Sequence, residues 1–523
     1  MANPIRAEEL AKEQREISIS AFFEKNRHLL GFDNPIRALL TTVKELVDNS
    51  LDATEDMKVL PEIKVIVKQV SDDRFKVIVE DNGPGIVKEQ IPKIFAKLLY
   101  GSKFFKLKMS RGQQGIGVSA SVLYGQLTTG KPVKITSKIS PRKPAHYYEL
   151  HIDTHKNDPE IVKEIVVDWI KKHGTKVEIE LEAKYQKGRQ SIDEYLKQTA
   201  LINPQVCLTY TNPDNKTIDF PKATKELPKE PKEIKPHPHG IELGILIRML
   251  KATKAKTLQS FLTTEFCRVG SKTAKNICEK ANVVTKSKPG RITRDEADNL
   301  IKSIRETRLI APPTDCLSPI GPELLEKGLK KEIDADFYAT ITRPPSVYRG
   351  MPFQIEAGIC YGGTQERENS IRVLRFANRV PLLYQQSACA VTRSITATNW
   401  RLYGLQQSRG SLPMGPVTLI IHIASVWVPF TSESKEAIAH YPEIVKEIKL
   451  ALQDCGRKLG GYIRKHIRAK EQKAKFDLFE KYIPELANSL SNLTKENKEK
   501  IIRNLKSTIR KGLPELNNEN AKR

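Results

Sequence analysis

TTVKELVDNSLDA, residues 41–53, places Glu45, Asn49 and Asp52 at i, i+4 and i+7, so three polar side chains share one helix face. Leu39, Leu40, Val43, Leu46, Val47 and Leu51 recur on the opposite stripe, and this 3.6-residue period predicts an amphipathic helix over residues 36–53. Alternation replaces it in EIKVIVKQV (62–70) and RFKVIVE (74–80), two strands joined by SDD, and DNGPG (81–85) ends the second in a glycine turn. A second glycine loop, RGQQGIGVSA (111–120), leads into the helix SASVLYGQL, after which KPVKITSKI, AHYYELHID and GTKVEIELE read as further strands. Helices mixed with a largely antiparallel sheet are expected over residues 1–220.

Glu45 and Asn49, one turn apart, set a base beside a neutral oxygen ligand. That pair suits ATP hydrolysis with magnesium, because the ion draws most of its ligands from phosphates and water while a carboxylate orients and deprotonates the attacking water. On the helix alone, an ordinary solvated face is the competing reading. The glycine loops favour the ligand site: Gly83 and Gly85 allow close approach of a flat ligand, and Asp81 at a strand end can accept from an exocyclic amine such as that of adenine. Gly112, Gly115 and Gly117 leave N–H groups uncovered before a helix N-terminus, which forms a phosphate cradle. GQLTTGKP (125–132) misses a P-loop because Pro132 stands where a magnesium-binding hydroxyl belongs, and GxxGxG is not the dinucleotide order GxGxxG. Asp334 and Asp336 read as a surface DxD, and His237 and His239, in a proline-rich stretch, are not read as ligands.

A chain of 523 residues exceeds one hydrophobic core and suggests roughly three to four domains. Its net charge of +25 is spread along the sequence, which favours a polyanionic partner, nucleic acid before membrane surface. The N-terminal MANPIRAEELAKEQREISIS has no apolar core of a leader, and VTLIIHIASVWVPF (417–430) is too short to span a bilayer, so a soluble, cytoplasmic protein without a membrane partner is expected. Seven cysteines without a CxxC pair argue against a disulfide framework or a zinc site. PKATKELPKEPKEIKPHPHG (221–240) reads as a stiff linker, 241–306 as basic and all-helical, 336–430 as strand-rich and 436–512 as charged and helical.

Taken together, TTVKELVDNSLDA, DNGPGI and RGQQGIGVSA resemble the three nucleotide-binding boxes of the GHKL ATPases. The resemblance implies that Glu45 is the general base, Asn49 holds Mg2+, Asp81 reads adenine, and Gly112, Gln113, Gln114, Gly115, Ile116, Gly117, Val118 and Ser119 form the ATP lid. Ser102 and Lys103, in LYGSKFF, fall where that family's lid begins, and Gly174 and Thr175 match the GT at the edge of the adenine pocket.

Nearly the whole chain is similar to the B subunits of type IIB DNA topoisomerases, the topoisomerase VI family. The fold implied is multidomain α+β: a GHKL (Bergerat-type) α/β sandwich with an N-terminal strap at 1–228, a linker and helix-two-turns-helix domain at 229–306, an α/β transducer at 307–470 and a charged helical region at 471–523. In TSESKEAIAHYPEI, Lys435 matches the family's lysine that reaches the γ-phosphate, with Ser434 placed to cap the following helix. Double-stranded DNA contacts are expected at Lys187 and Arg189 in KGRQ, where Gln190 replaces a second arginine, and at Trp400, Arg401 and Tyr403 in NWRLYGL, with core packing of the two aromatics as the competing reading. Lys272 and Lys275, with Gly270 and Thr273, suit a phosphate-gripping turn or simply a basic bundle. The resemblance further implies self-dimerisation through the ATPase domain on ATP binding, and a separate tyrosine-bearing A subunit in an A2B2 heterotetramer that makes the double-strand break. A MutL-like DNA repair clamp is the alternative; a DNA-binding architectural protein is a weaker rival.

Overall fold

The structure is a computed structural model that describes residues 17–103, 106–112, 115–432 and 434–511. Ser18 caps α1 (Ile19–Lys25), and Asn34 caps α2 (Pro35–Asp56) by accepting the Arg37 N–H, with Pro35 supplying the fixed φ of a first helical residue. The stripe Leu39, Leu40, Val43, Leu46, Val47 and Leu51 is buried, as its period requires. It packs on a sheet of β1 (Glu62–Gln69), β2 (Arg74–Glu80), β3 (Val133–Lys138), β4 (Ala145–Asp153), β5 (Asp158–Val167), β6 (Gly174–Glu182), β7 (Cys207–Thr211) and β8 (Thr217–Phe220). The order is β5-β4-β3-β6-β2-β1-β7-β8, antiparallel throughout except for the parallel β1–β7 pair. α3 (Ile91–Ala96), α4 (Gly117–Thr129) and α5 (Ile192–Ile202) join α2 over this sheet.

Strand β5 gives no inward-outward alternation in its burial, since it is an exposed edge, and the sequence pattern accordingly passes over it. The proline-rich stretch is extended but not a free spacer. Lys232 N–H donates to the Asp315 carbonyl at 2.8 Å and Ile234 N–H to the Leu107 carbonyl at 3.1 Å, which ties it along the body of the protein.

Helices α6 (Leu243–Ala252), α7 (Leu258–Glu265), α8 (Ser271–Lys280) and α9 (Arg294–Glu306) enclose a separate core around Phe261, Leu262, Ile277 and Leu300. Thr293 and Glu296 form a capping box at the start of α9. His237 and His239 set ring nitrogens against the Ile310 and Ile304 carbonyls, at 3.1 and 3.0 Å.

The second sheet comprises β9 (Phe337–Thr342), β10 (Ser346–Tyr348), β11 (Met351–Tyr361), β12 (Arg372–Ala377), β13 (Val380–Pro381) and β14 (Val417–Ser425). α10 (Pro322–Glu332) covers one face, α11 (Ala390–Thr396) and α12 (Pro442–Thr494) the other, and α13 (Lys498–Lys511) folds back on α12. With both faces covered, β14 is buried at every residue, which explains its unbroken apolar run. No helix among the described residues is long and apolar enough to cross a membrane. Leu201 and Ile202 at the end of α5 pack with Leu325 and Leu329 of α10, joining the two sheets through one apolar layer.

Ser434 does not cap a helix. α12 begins only at Pro442, after Tyr441, and the Ser434 hydroxyl lies 2.9 Å from that of Ser432.

Candidate active site

A cavity of about 440 Å³ opens over the polar face of α2, within the range of small-molecule sites. Glu45 and Asn49 come from α2, Asp81 and Gly85 from the end of β2, Ser102 and Lys103 from the loop after α3, and Thr175 from β6. Gly112, Gly115, Gly117, Val118 and Ser119 form the wall running into α4, and Lys435 enters from the second sheet's side. Gln113 and Gln114 lie outside the described residues.

Asp81 is 6% exposed. Its Oδ1 accepts the N–H groups of Gly83 at 2.9 Å and Thr175 at 3.1 Å, and its Oδ2 accepts the Ser50 hydroxyl at 3.0 Å. A carboxylate has about four acceptor positions, so one remains for an amine entering the cavity. Burial pushes the Asp81 carboxyl above its ordinary range despite these donors. Gly85 has φ +68°, and a Cβ there would overlap the Lys138 carbonyl, so only glycine allows β3 to close this end of the cavity.

The Asn49 amide nitrogen donates to the Glu45 carbonyl at 2.7 Å, which leaves Oδ1 as an open acceptor. A Cβ built on Gly112 would lie 3.8 Å from that oxygen and 3.7 Å from Lys103 Nζ, so a backbone edge, a neutral oxygen and an ammonium converge. The Glu45 carboxylate rests on the first turn of α4. A Cβ on Gly117 would overlap Glu45 Oε2, so the last glycine of GQQGIG gives the carboxylate its place at the positive end of that helix. The Ile116 side chain is buried and turns into a smaller cavity of about 40 Å³ behind Glu45, and Ser119 Oγ donates to the Ile116 carbonyl at 3.1 Å. Glu45, Gly117 and Lys435 form the wall between the two cavities.

Lys435 is nearly buried, with its backbone in the left-handed region (φ 53°) and its N–H donating to the Ser432 carbonyl at 3.1 Å. Its neighbour Glu436 pairs with Arg37 in the first turn of α2, and Arg37 also meets Asp33 at 2.7 Å. The loop bearing Lys435 is thus fastened to the helix bearing Glu45. Sequence reading missed Arg37; the signal was its position at i−8 and i−4 from Glu45 and Thr41, on the same helix face.

Asp52, which sequence left without a task, is buried and holds Lys103 Nζ at 2.5 Å, Arg111 at 3.0 Å and the Gly112 N–H at 3.3 Å. Burial alone would raise its pKa, but Lys103 and then Arg111 outweigh it and hold the carboxyl well below the usual range. Asp48 shows the opposite balance. It accepts the Tyr195 hydroxyl at 2.9 Å, and burial, helped by nearby Glu45 and opposed by Lys44 and Arg111, pushes it up to about 7.

Of the proposed nucleic-acid residues, Lys187, Arg189, Lys272, Lys275 and Arg401 lie on exposed surface. Lys187 pairs with Asp214 at 2.9 Å, Arg189 is exposed beside Gly188, Lys272 is exposed on α8, and Lys275 meets Glu279 at 3.7 Å. Arg401 is exposed, its Nε donating to the Gln407 carbonyl at 2.8 Å, and Tyr403 is half-buried against Gly456 of α12. Trp400 corrects the expectation: it is 0% exposed, and its indole N–H donates to the Ile395 carbonyl at 3.0 Å, so it is a core residue out of reach of DNA.

Two family models match the chain: the histidine kinase-, DNA gyrase B- and HSP90-like ATPase over residues 34–184, and the topoisomerase VI B-subunit transducer over 312–475. The B subunit of type 2 DNA topoisomerase 6 from Methanococcoides burtonii is 52% identical over 518 residues, covering 99% of this chain and 81% of the relative. The corresponding proteins of Methanosarcina mazei and Archaeoglobus fulgidus are 52% and 47% identical, covering 94% and 92% of this chain and 79% and 80% of theirs.

Proposed function

Because the chain belongs to the family of topoisomerase VI B subunits, the ATP-dependent subunit of a type IIB DNA topoisomerase, we propose that the 440 Å³ cavity is its ATP site and that ATP-driven dimerisation gates DNA passage. The observation that carries this reading is the convergence on one cavity of Glu45 and Asn49 from α2, Asp81 from the end of β2, Gly112 from the glycine loop and Lys435 from the loop after β14. Asp81 takes the adenine amine on its remaining acceptor position, with Gly83, Gly85 and Thr175 shaping the pocket around the ring. Ser102, Lys103, the Gly112 N–H and the N–H groups from Gly115 to Ser119 face the phosphates. Asn49 Oδ1 fits a hydrated Mg2+, which when bound neutralises phosphate charge and takes its remaining ligands from phosphate and water. Glu45, seated at the start of α4, orients the attacking water and accepts its proton. Lys435 supplies a positive charge from the transducer, so that a terminal phosphate draws the second sheet toward the ATPase core.

The proposed division is the ATPase domain at 1–228, linker and helix-two-turns-helix domain at 229–306, transducer at 307–470 and charged helical region at 471–523. Two copies dimerise through the ATPase domains on binding ATP, with residues before Asn34 as the exchanged strap. Each pairs with a tyrosine-bearing A subunit in an A2B2 assembly, to which the helices after Pro442 dock. Duplex DNA meets Lys187, Arg189, Lys272, Lys275 and Arg401, and the complex works on cytoplasmic, nucleoid DNA. A MutL-like clamp is disfavoured because the Methanococcoides burtonii relative matches over 99% of the chain, the helical segment included.

The test is Glu45→Gln. It should bind ATP as the parent does, dimerise on ATP, and hydrolyse it slower by roughly two to four decades. Unimpaired turnover would remove Glu45 as the base. Loss of binding would show that its role is structural.

A further inference from the structure

A second set of buried charges crosses the interface between the two sheets, apart from the Lys435 loop. Arg379 sits in the β12–β13 turn with φ 64°, beside Asn378 with φ 48°, a strained pair of non-glycine residues. Its side chain is 5% exposed; it meets Glu55 of α2 at 3.2 Å and the Ser318 hydroxyl at 2.9 Å, and its N–H donates to His422 Nε2 at 2.9 Å. Arg111 grips the same Glu55 carboxylate with two bonds, 2.7 and 2.9 Å, and reaches Asp52 at 3.0 Å. Asp52 in turn holds Lys103 at 2.5 Å, in the wall of the nucleotide cavity.

The sequence of contacts is therefore Arg379, Glu55, Arg111, Asp52, Lys103, alternating in sign without a gap. Three cations face two carboxylates, and the most exposed member is Lys103, at the cavity end. Glu55 and Asp52 are each shared between two cations, so any charge that draws one cation away strengthens the hold on the other. Arg111 Nε and Arg379 Nε are buried without a hydrogen-bond partner among the described residues, so both guanidinium groups retain donors for a rearranged pairing.

We propose that Arg379 is a positioning residue through which phosphate binding at Lys103 is transmitted to the transducer, by a route separate from Lys435. An anionic phosphate takes Lys103 from Asp52. Asp52 then draws Arg111, which loosens its grip on Glu55, and Glu55 closes on Arg379 and fastens the β12–β13 turn to α2. By linkage the reverse also holds: a turn seated on Glu55 frees Lys103 for phosphate. This rests on the cavity being the ATP site.

The experiment is hydrogen exchange on the full chain at the backbone N–H of Arg379, with and without a non-hydrolysable ATP analogue and magnesium, in the parent, Glu55→Gln, Arg379→Met and Arg379→Lys. Nucleotide should slow exchange about tenfold in the parent, a typical allosteric coupling. In Glu55→Gln and Arg379→Met the analogue should still bind while this nucleotide-dependent slowing falls below about twofold; Arg379→Lys should restore most of it. A purely structural role would change exchange equally with and without nucleotide, and equal slowing in all four proteins overturns the relay. If the parent binds nucleotide without slowing at Arg379, the relay alone fails; if the parent binds no nucleotide, the ATP-site reading fails with it. Should Arg379→Met not fold, Glu55→Gln and Arg379→Lys carry the same comparison.

Discussion

Asp48→Asn isolates the energetic cost of a buried carboxylate one residue from the proposed magnesium ligand. Asp48 is 6% exposed, its only side-chain hydrogen bond among the described residues comes from the Tyr195 hydroxyl, and burial raises its pKa from 3.8 to about 7. In the window between these values the folded chain keeps the Asp48 proton and the unfolded chain has lost it. Unfolding then releases a proton, so this group's contribution to stability is fully present below pH 3.8 and declines as pH rises to about 7. Roughly three pH units at about 1.4 kcal/mol each set the loss at about 4 kcal/mol. Asparagine keeps the size and can accept the Tyr195 hydroxyl but carries no charge. The stability difference between Asp48→Asn and the parent should therefore move in favour of asparagine by about 1.4 kcal/mol per pH unit from pH 5 to 6, by less toward pH 7, and level off above. Native-state hydrogen exchange of the α2 amides reads this core separately from the other two, whose unfolding need not coincide. A difference independent of pH across that window would mean that Asp48 is ionised in the folded protein and that Lys44 and Arg111 outweigh burial.

Gly117→Ala should place a methyl group on the Glu45 carboxylate, displace it from the start of α4 and lower ATP turnover at least tenfold with smaller loss of nucleotide affinity; turnover within twofold of the parent would show that Glu45 works from another position. Trp400→Ala should cost about 3–5 kcal/mol of transducer stability by urea unfolding, whereas Arg401→Ala should leave stability within about 0.5 kcal/mol and weaken duplex DNA binding; the reverse pattern would restore Trp400 as a DNA contact. With a net charge of +25, duplex affinity should fall on the order of a hundredfold or more between 50 and 200 mM salt, measured by fluorescence anisotropy, and a flat response would remove the electrostatic clamp.

The order of residues alone settled whatever short-range spacing encodes. The 3.6-residue stripe of α2 selected which of its faces is buried, so Glu45, Asn49 and Asp52 had to share the other, and alternation placed β1, β2, β3, β4 and β6 within a residue or two. The glycine spacings located the cavity wall, because close backbone approach leaves a compositional mark: Gly85 against Lys138 and Gly117 against Glu45 tolerate no Cβ. Which partners those residues meet was set in three dimensions. Asp48 and Asp52, four residues apart and alike in sequence, are driven to opposite ionisation behaviour because burial dominates at Asp48, whereas Lys103 and Arg111 outweigh it at Asp52. Trp400 and Arg401 are chain neighbours, yet one is core and one is surface, a division set by how the segment packs on α12. The pairs Arg37 with Glu436 and Glu55 with Arg379 join residues more than three hundred positions apart. Local periodicity records only which face of an element turns inward; which distant charge waits there depends on how the two sheets are docked.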